Sequence, residues 1–149
     1  MTDPRDLARE LARGTARALA QLGFATLAEV PLANGRRADL LALGRDNSLL
    51  IVEIKSSVVD FKSDRKWPDY RAFCDRLAFA VPGEFPHDLI PAECGLIVAD
   101  PWGAQILREG LSVPLAAARR KALTLRFARV AASRVQRLVD PAALDPEPG

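Results

Sequence analysis

Apolar residues near the start of the chain recur at helical spacing. Leu7, Leu11, Ala18 and Leu22 fall on one side, while Arg5, Arg9, Arg13 and Arg17, each four apart, fall on another. Asp3 can cap such a helix, Pro4 fits its first turn and Gly23 ends it, so a helix is predicted over 4–22 with the arginines on its solvated face, a DNA contact being the alternative. The period then changes. Residues 25–32 and 36–43 flank Ala33-Asn34-Gly35, whose Asn-Gly pair is the strongest short hairpin pattern. Leu49-Leu50-Ile51-Val52 is apolar on both faces and ends in Glu53-Ile54-Lys55, which predicts the central strand of a sheet over 49–55.

Residues 60–74 turn polar and helical, with a kink or restart at Pro68, and 76–81 read as a strand. Pro82, Pro86 and Pro91 punctuate a loop that holds a short helical turn. Strands at 95–99 and 104–107 flank the turn Asp100-Pro101-Trp102-Gly103. Pro114 opens a helical region running to Val139. Leu123, Phe127, Val130 and Leu138 share its packing face, beside Arg126, Arg129 and Arg137. Without repeat or linker, the pattern predicts one α/β domain over 1–139, a mixed sheet flanked by helices, and a tail at 140–149 that frays.

Composition narrows the chemistry. No run of about 18 uncharged apolar residues exists to cross a bilayer, and an N-terminus of mixed charge does not read as a signal peptide, so a cytoplasmic protein without membrane contact is expected. Cys74 and Cys94 cannot build a disulfide framework or a Cys-x-x-Cys site, and read as reduced structural residues. His87 is the one histidine, so reactions needing a His pair are excluded. Catalysis falls to carboxylates, Lys, Arg and a metal.

Charge is segregated. The chain carries +2 overall, yet residues 110–139 hold seven basic residues and no acid. Such a block makes a positive surface for polyanions, with Arg119, Arg120, Lys121 and Arg126 as expected phosphate contacts, joined by Arg36, Arg37 and Lys62 nearer the hairpin and the first polar helix. Its bland alternative is a solvated helix face.

The informative constellation is Asp39 on one strand and Glu53-Ile54-Lys55 at the end of the next. Side chains alternate along a strand, so Glu53 and Lys55 share a face, and Asp39 joins them if the strands are neighbours. Two carboxylates at a sheet edge, with the Ile54 carbonyl, supply hard oxygen ligands for Mg²⁺ or Mn²⁺. A metal and a lysine are what phosphodiester hydrolysis needs. The alternative is a plain ion pair of Glu53 with Lys55, which leaves Asp39 without a role. Glu29 shares the face of Asp39 if the hairpin loop has three residues and points away if it has two. Glu10 is another candidate acid, Lys66 and Tyr70 sit one turn apart on the following helix, and Trp67 and Trp102 read as half-buried indoles or base-stacking platforms.

These residues resemble the PD-(D/E)xK phosphodiesterase superfamily, whose core runs helix, three strands, helix, strand, with alanine here in place of the proline in Arg36-Arg37-Ala38-Asp39. The resemblance implies metal ligands at Asp39 and Glu53 and a catalytic lysine at Lys55. Ile51-Val52-Glu53-Ile54-Lys55-Ser56-Ser57, Asp60-Phe61, Asp64-Arg65-Lys66-Trp67-Pro68-Asp69-Tyr70, Cys74-Asp75-Arg76, Phe79-Ala80-Val81-Pro82 and Ala118-Arg119-Arg120-Lys121-Ala122 are similar to the MmcB-related family of bacterial DNA-repair proteins. That similarity implies a restriction-endonuclease-like domain linked to DNA repair. Three readings stand at this point: a Mg²⁺-dependent endodeoxyribonuclease, a DNA-binding module of the same fold without turnover, and an interaction domain whose basic helix takes an acidic partner. A homodimer enters if both DNA strands are to be cut.

Overall fold

The structure, a computed structural model, describes residues 3–142. The predicted order of helix, three strands, helix, strand is present. Helix α1 (Pro4–Gln21) is followed by β1 (Ala25–Pro31), β2 (Arg37–Leu43) and β3 (Leu49–Ile54). Then come α2 (Val58–Ser63), a 3₁₀ segment (Trp67–Phe73), β4 (Arg76–Val81), β5 (Gly95–Ala99), β6 (Ala104–Arg108) and α3 (Ala117–Val139). The six strands form one sheet in chain order, antiparallel at both ends and parallel through β3, β4 and β5.

Alternation along the strands builds a core on each face. Leu40, Val52, Ile54, Ala78, Ala80 and Ile97 meet Leu11 and Leu19 of α1. Leu41, Leu49, Ile51, Leu77, Phe79 and Val81 meet Tyr70 and Phe73 of the 3₁₀ segment and Leu123 and Phe127 of α3. A strand covered on both sides is apolar on both sides, hence the unbroken run from Leu49 to Val52. The hairpin loop has three residues: Leu32 N–H donates to the Arg36 carbonyl at 2.8 Å, and Gly35 takes φ +82°, a conformation costly for residues with a side chain.

Several expectations need correcting. Helix α1 stops at Gln21, so Leu22 is 61% exposed and Leu19 fills the core instead. The polar stretch is two short pieces, with Pro68 restarting the second. Helix α3 begins at Ala117 because residues 111–115 are tied to the segments just before β5 and β4, Leu111 N–H to the Glu93 carbonyl and Val113 N–H to the Asp75 carbonyl, both at 2.8 Å. Leu138 is 82% exposed. One turn earlier Arg134 already reaches β1, the edge strand, so the last turn of α3 has no strand beneath it. Both cysteines are free and buried. Most of the tail predicted at 140–149 lies outside the described residues. No helix is long and apolar enough to cross a membrane among the described residues.

Candidate active site

The β2–β3 ladder stops at the pair Leu40 and Val52, and beyond it side chains take over from the backbone. Asp39 and Glu53 are the next residues, one opposite the other. The Asp39 N–H donates to Glu53 Oε2 at 2.9 Å, and the Ile54 N–H donates to Asp39 Oδ2 at 2.8 Å. Each carboxylate thus satisfies a main-chain donor of the other strand, and both sit where the strands part. Lys55 N–H donates to the Ala80 carbonyl on β4. Since bonding direction alternates along a strand, the Ile54 carbonyl faces β2, on the same edge as the N–H that Asp39 accepts.

Glu53 is only 4% exposed, and burial together with the charge of Asp39 pushes its carboxyl up to about 8. Burial raises Asp39 as well, against the hydrogen bond from Ile54 and the charge of Lys55. Two crowded, desolvated carboxylates favour a cation between them. Among the described residues no three His, Cys, Asp or Glu side chains form a metal-ligand group. What the site offers a cation is two carboxylates and a carbonyl. That sparse set fits Mg²⁺, which keeps several waters and is held by one or two carboxylates together with substrate phosphate.

Lys55, 6% exposed, is met by an acid absent from the predicted site: its Nζ donates to Asp64 Oδ2 at 2.7 Å. Burial opposes ionisation of Asp64, but the hydrogen bonds from Lys55 and from the Lys66 N–H hold its carboxyl below the usual range. Asp60 Oδ2 accepts from the Ser56 N–H at 3.2 Å and fixes the turn after Lys55. Asp60 and Asp64 both lie in the stretches that carry the MmcB-related similarity, which is where the sequence marks them. Tyr70 donates from its hydroxyl to the Arg37 carbonyl at 2.9 Å. Burial and the nearby charges of Glu53 and Asp39 raise its pKa.

The other candidates are dispersed. The three-residue loop does set Glu29 opposite Asp39, but Glu29 adopts φ +51°, interrupts the β1–β2 ladder and is exposed, while its carbonyl accepts from Arg134 Nη2 at 2.9 Å. Glu10 lies on another side of α1 from the residues that face Asp39. Lys66 precedes the 3₁₀ segment and is exposed, as is Lys62 on α2, so Lys66 and Tyr70 do not act from one helix face. Arg36 is paired with Asp69 at 3.1 Å, and Arg37 is exposed. Trp67 packs edge-on against Phe79, whereas Trp102 is 74% exposed in its turn.

The basic block of the last helix is divided in its employment. Arg119 donates to the Ala72 carbonyl at 3.2 Å and lies 4.4 Å over the Phe73 ring. Arg120 grips Asp75 with both terminal nitrogens, so its fork is not turned to solvent. Arg126 is half-buried, and Lys121 is left exposed. The Arg120–Asp75 pair sits at the Leu49 end of β3, where Asp75 Oδ2 also accepts from the Leu49 N–H. Four residues of strand separate it from Glu53, about 13 Å.

A groove of about 650 Å³ opens beside Asp39. Arg5, Ala8, Arg9, Ala12, Arg13 and Ala16 of α1 form one wall, and Thr26, Ala28, Glu29, Asp39, Leu40 and Ile54 form the other.

No curated protein matches the chain. A solved structure, the SPO1766 protein of unknown function from Silicibacter pomeroyi, is similar to it over 97% of both chains, with 43% sequence identity and a TM-score of 0.90. The family described as DNA repair protein MmcB-like matches residues 2–142. The length of that match and the shared fold make the chain a member of the MmcB-like DNA repair family.

Proposed function

We propose that this protein is a metal-dependent endodeoxyribonuclease that hydrolyses phosphodiester bonds during DNA repair. The observation that carries the reading is the exchange of hydrogen bonds between Asp39 and Glu53, which holds two buried carboxylates at a parting of strands. A structural ion pair between Glu53 and Lys55 accounts for this poorly, because Lys55 pairs with Asp64 instead.

Asp39, Glu53 and the Ile54 carbonyl would hold Mg²⁺ or Mn²⁺, which supplies Lewis-acid activation of the phosphoryl group and of water. The protein's own residues do the positioning. Asp64 holds the Lys55 ammonium on the Glu53 face, where it can stabilise charge that grows on the phosphoryl oxygens. Tyr70 ties the start of β2 to the 3₁₀ segment and so keeps Asp39 in place. The described residues hold one such site, so cutting both strands of a duplex takes a second copy or a second encounter.

The test is a panel of single-stranded, nicked, flapped, four-way and intact duplex DNA, incubated with Mg²⁺ or Mn²⁺ and with chelator. Cleavage that needs the metal and disappears in Asp39→Asn is expected. A second reading, a DNA-binding module without turnover, is favoured by the closure of Lys55 onto Asp64. Binding to DNA with no cleavage of any substrate in the panel would select it.

A further inference from the structure

We propose that the groove between α1 and the β1–β2 hairpin is the track for the sugar-phosphate backbone of one DNA strand, with Arg5, Arg9 and Arg13 on its phosphates. This rests on the nuclease reading for the substrate and on the geometry of the groove for its place. It also reverses the expectation from sequence, where the α1 arginines read as a solvated face and the last helix as the phosphate surface.

Charge is divided across the groove. The α1 wall carries Arg5, Arg9 and Arg13 and no acid, and the sheet wall carries Glu29 and Asp39 and no base. A polyanion in the groove is drawn to α1 and passes Asp39 on the sheet wall. Spacing at every fourth residue turns the three arginines the same way, and from Arg5 to Arg13 they span about 12 Å, more than one phosphate can occupy. Ala8, Ala12, Ala16 and Ala28 keep the walls low, so a strand can lie against them without a side chain in its way. Arg13 is steadied by a bond from Nε to the Pro101 carbonyl at 3.3 Å, and Arg9 is tied to Asp6 at 3.9 Å, an exposed pair that a phosphate can replace.

Among the described residues no aromatic lines the groove, so they give it no platform on which bases could stack. The arginines contact the backbone and read no sequence. Single-stranded DNA and one strand of a duplex offer the same phosphodiester chemistry, and the test distinguishes them.

Binding of a labelled single-stranded oligonucleotide and of the duplex of the same sequence is measured by fluorescence anisotropy over a range of salt concentrations. The proteins are the wild type, the triple variant Arg5→Gln, Arg9→Gln, Arg13→Gln, and an α3 control, Lys121→Gln with Arg129→Gln. All these residues are exposed, so folding is retained and is checked by circular dichroism. The triple variant should weaken binding to every sequence alike and flatten the salt dependence by about 2 to 3 units of slope. A duplex-held strand loses about 0.9 per contact and a free strand about 0.7, and the form that shows the loss identifies the occupant. The control should bind like the wild type.

An unaltered slope in the triple variant, an equal loss in the control, or no DNA binding by the wild type overturns the track. Failure of catalysis is separable: if the wild type cuts nothing but the triple variant loses binding, the track stands and hydrolysis falls. If the wild type cuts and the triple variant cuts with an unchanged KM, hydrolysis stands and the track falls.

Discussion

Arg120 reaches both carboxylate oxygens of Asp75, at 2.7 and 2.6 Å, and ties the first turn of α3 to the beginning of β4. Asp75 also accepts from the N–H groups of Leu49 and Leu115. The hydrogen bonds from Arg120, aided by those two and opposed by burial, hold its carboxyl down to about 2. The unfolded chain therefore binds the proton more readily. The stability this adds is complete above about pH 4 and is lost as pH falls through 2. The shift corresponds to about 2 kcal/mol.

Calorimetry between pH 2 and 5 should show Tm falling over this window. Arg120→Met should flatten that fall and lower stability at neutral pH, because it leaves a buried carboxylate without its cation. An acid limb as steep in the variant as in the wild type would assign the loss to other carboxylates.

Gly14 on α1 is pressed against the turn after β5. A methyl at its Cβ would stand 1.8 Å from the Asp100 carbonyl oxygen and 2.6 Å from that of Gly103. Alanine ordinarily favours a helix over glycine by about 1 kcal/mol. Here the contact is with backbone that cannot turn aside, so Gly14→Ala should destabilise by about 2 kcal/mol or more. Chemical denaturation measures it, and a stabilised variant would mean α1 is free to lift from the turn.

The paired carboxylates should trade stability for metal binding. Asp39→Asn should weaken Mg²⁺ or Mn²⁺ binding by removing a charged ligand. Glu53→Gln should do the same while raising the Tm of the metal-free protein at neutral pH, since it removes a buried carboxyl that the folded chain holds protonated beside Asp39 and the unfolded chain ionises. Titration calorimetry and thermal unfolding with and without metal test both, and equal metal affinity in all three proteins would sink the assignment.

Lys55→Ala should reduce cleavage by about 10²- to 10³-fold while leaving metal and DNA binding nearly intact. Lys55→Arg should not restore the rate, because a planar guanidinium does not reproduce a point charge in so closed a site. Asp64→Asn should lower the rate less, since the ammonium remains and only its placement loosens. Single-turnover kinetics separate these cases. A Lys55→Ala protein that cuts at the wild-type rate would return Lys55 and Asp64 to a structural ion pair.

Local pattern determined where most helices and strands lie, where the hairpin turns and that Asp39 and Glu53 are carried on successive strands, while the pairing of those strands came from the fold. Those features repeat every two or 3.6 residues, or depend on one turn, and are written in adjacent positions. The conditional reading of Glu29 marks the limit, because one residue of loop length moves a side chain to the other face and only the folded hairpin chose. Asp64 on Lys55, Arg120 on Asp75 and Arg119 on Phe73 were not legible, and neither was the division of labour between two arginine-rich helices. A guanidinium is turned inward or outward by what the chain brings to it from elsewhere, and Asp75 comes to Arg120 from 45 residues away. The sequence by itself thus determined most of the elements and the two carboxylates as candidates. The tertiary structure decided which charges are consumed in packing and which line the groove, because burial and partnership are properties of contacts that no local period encodes.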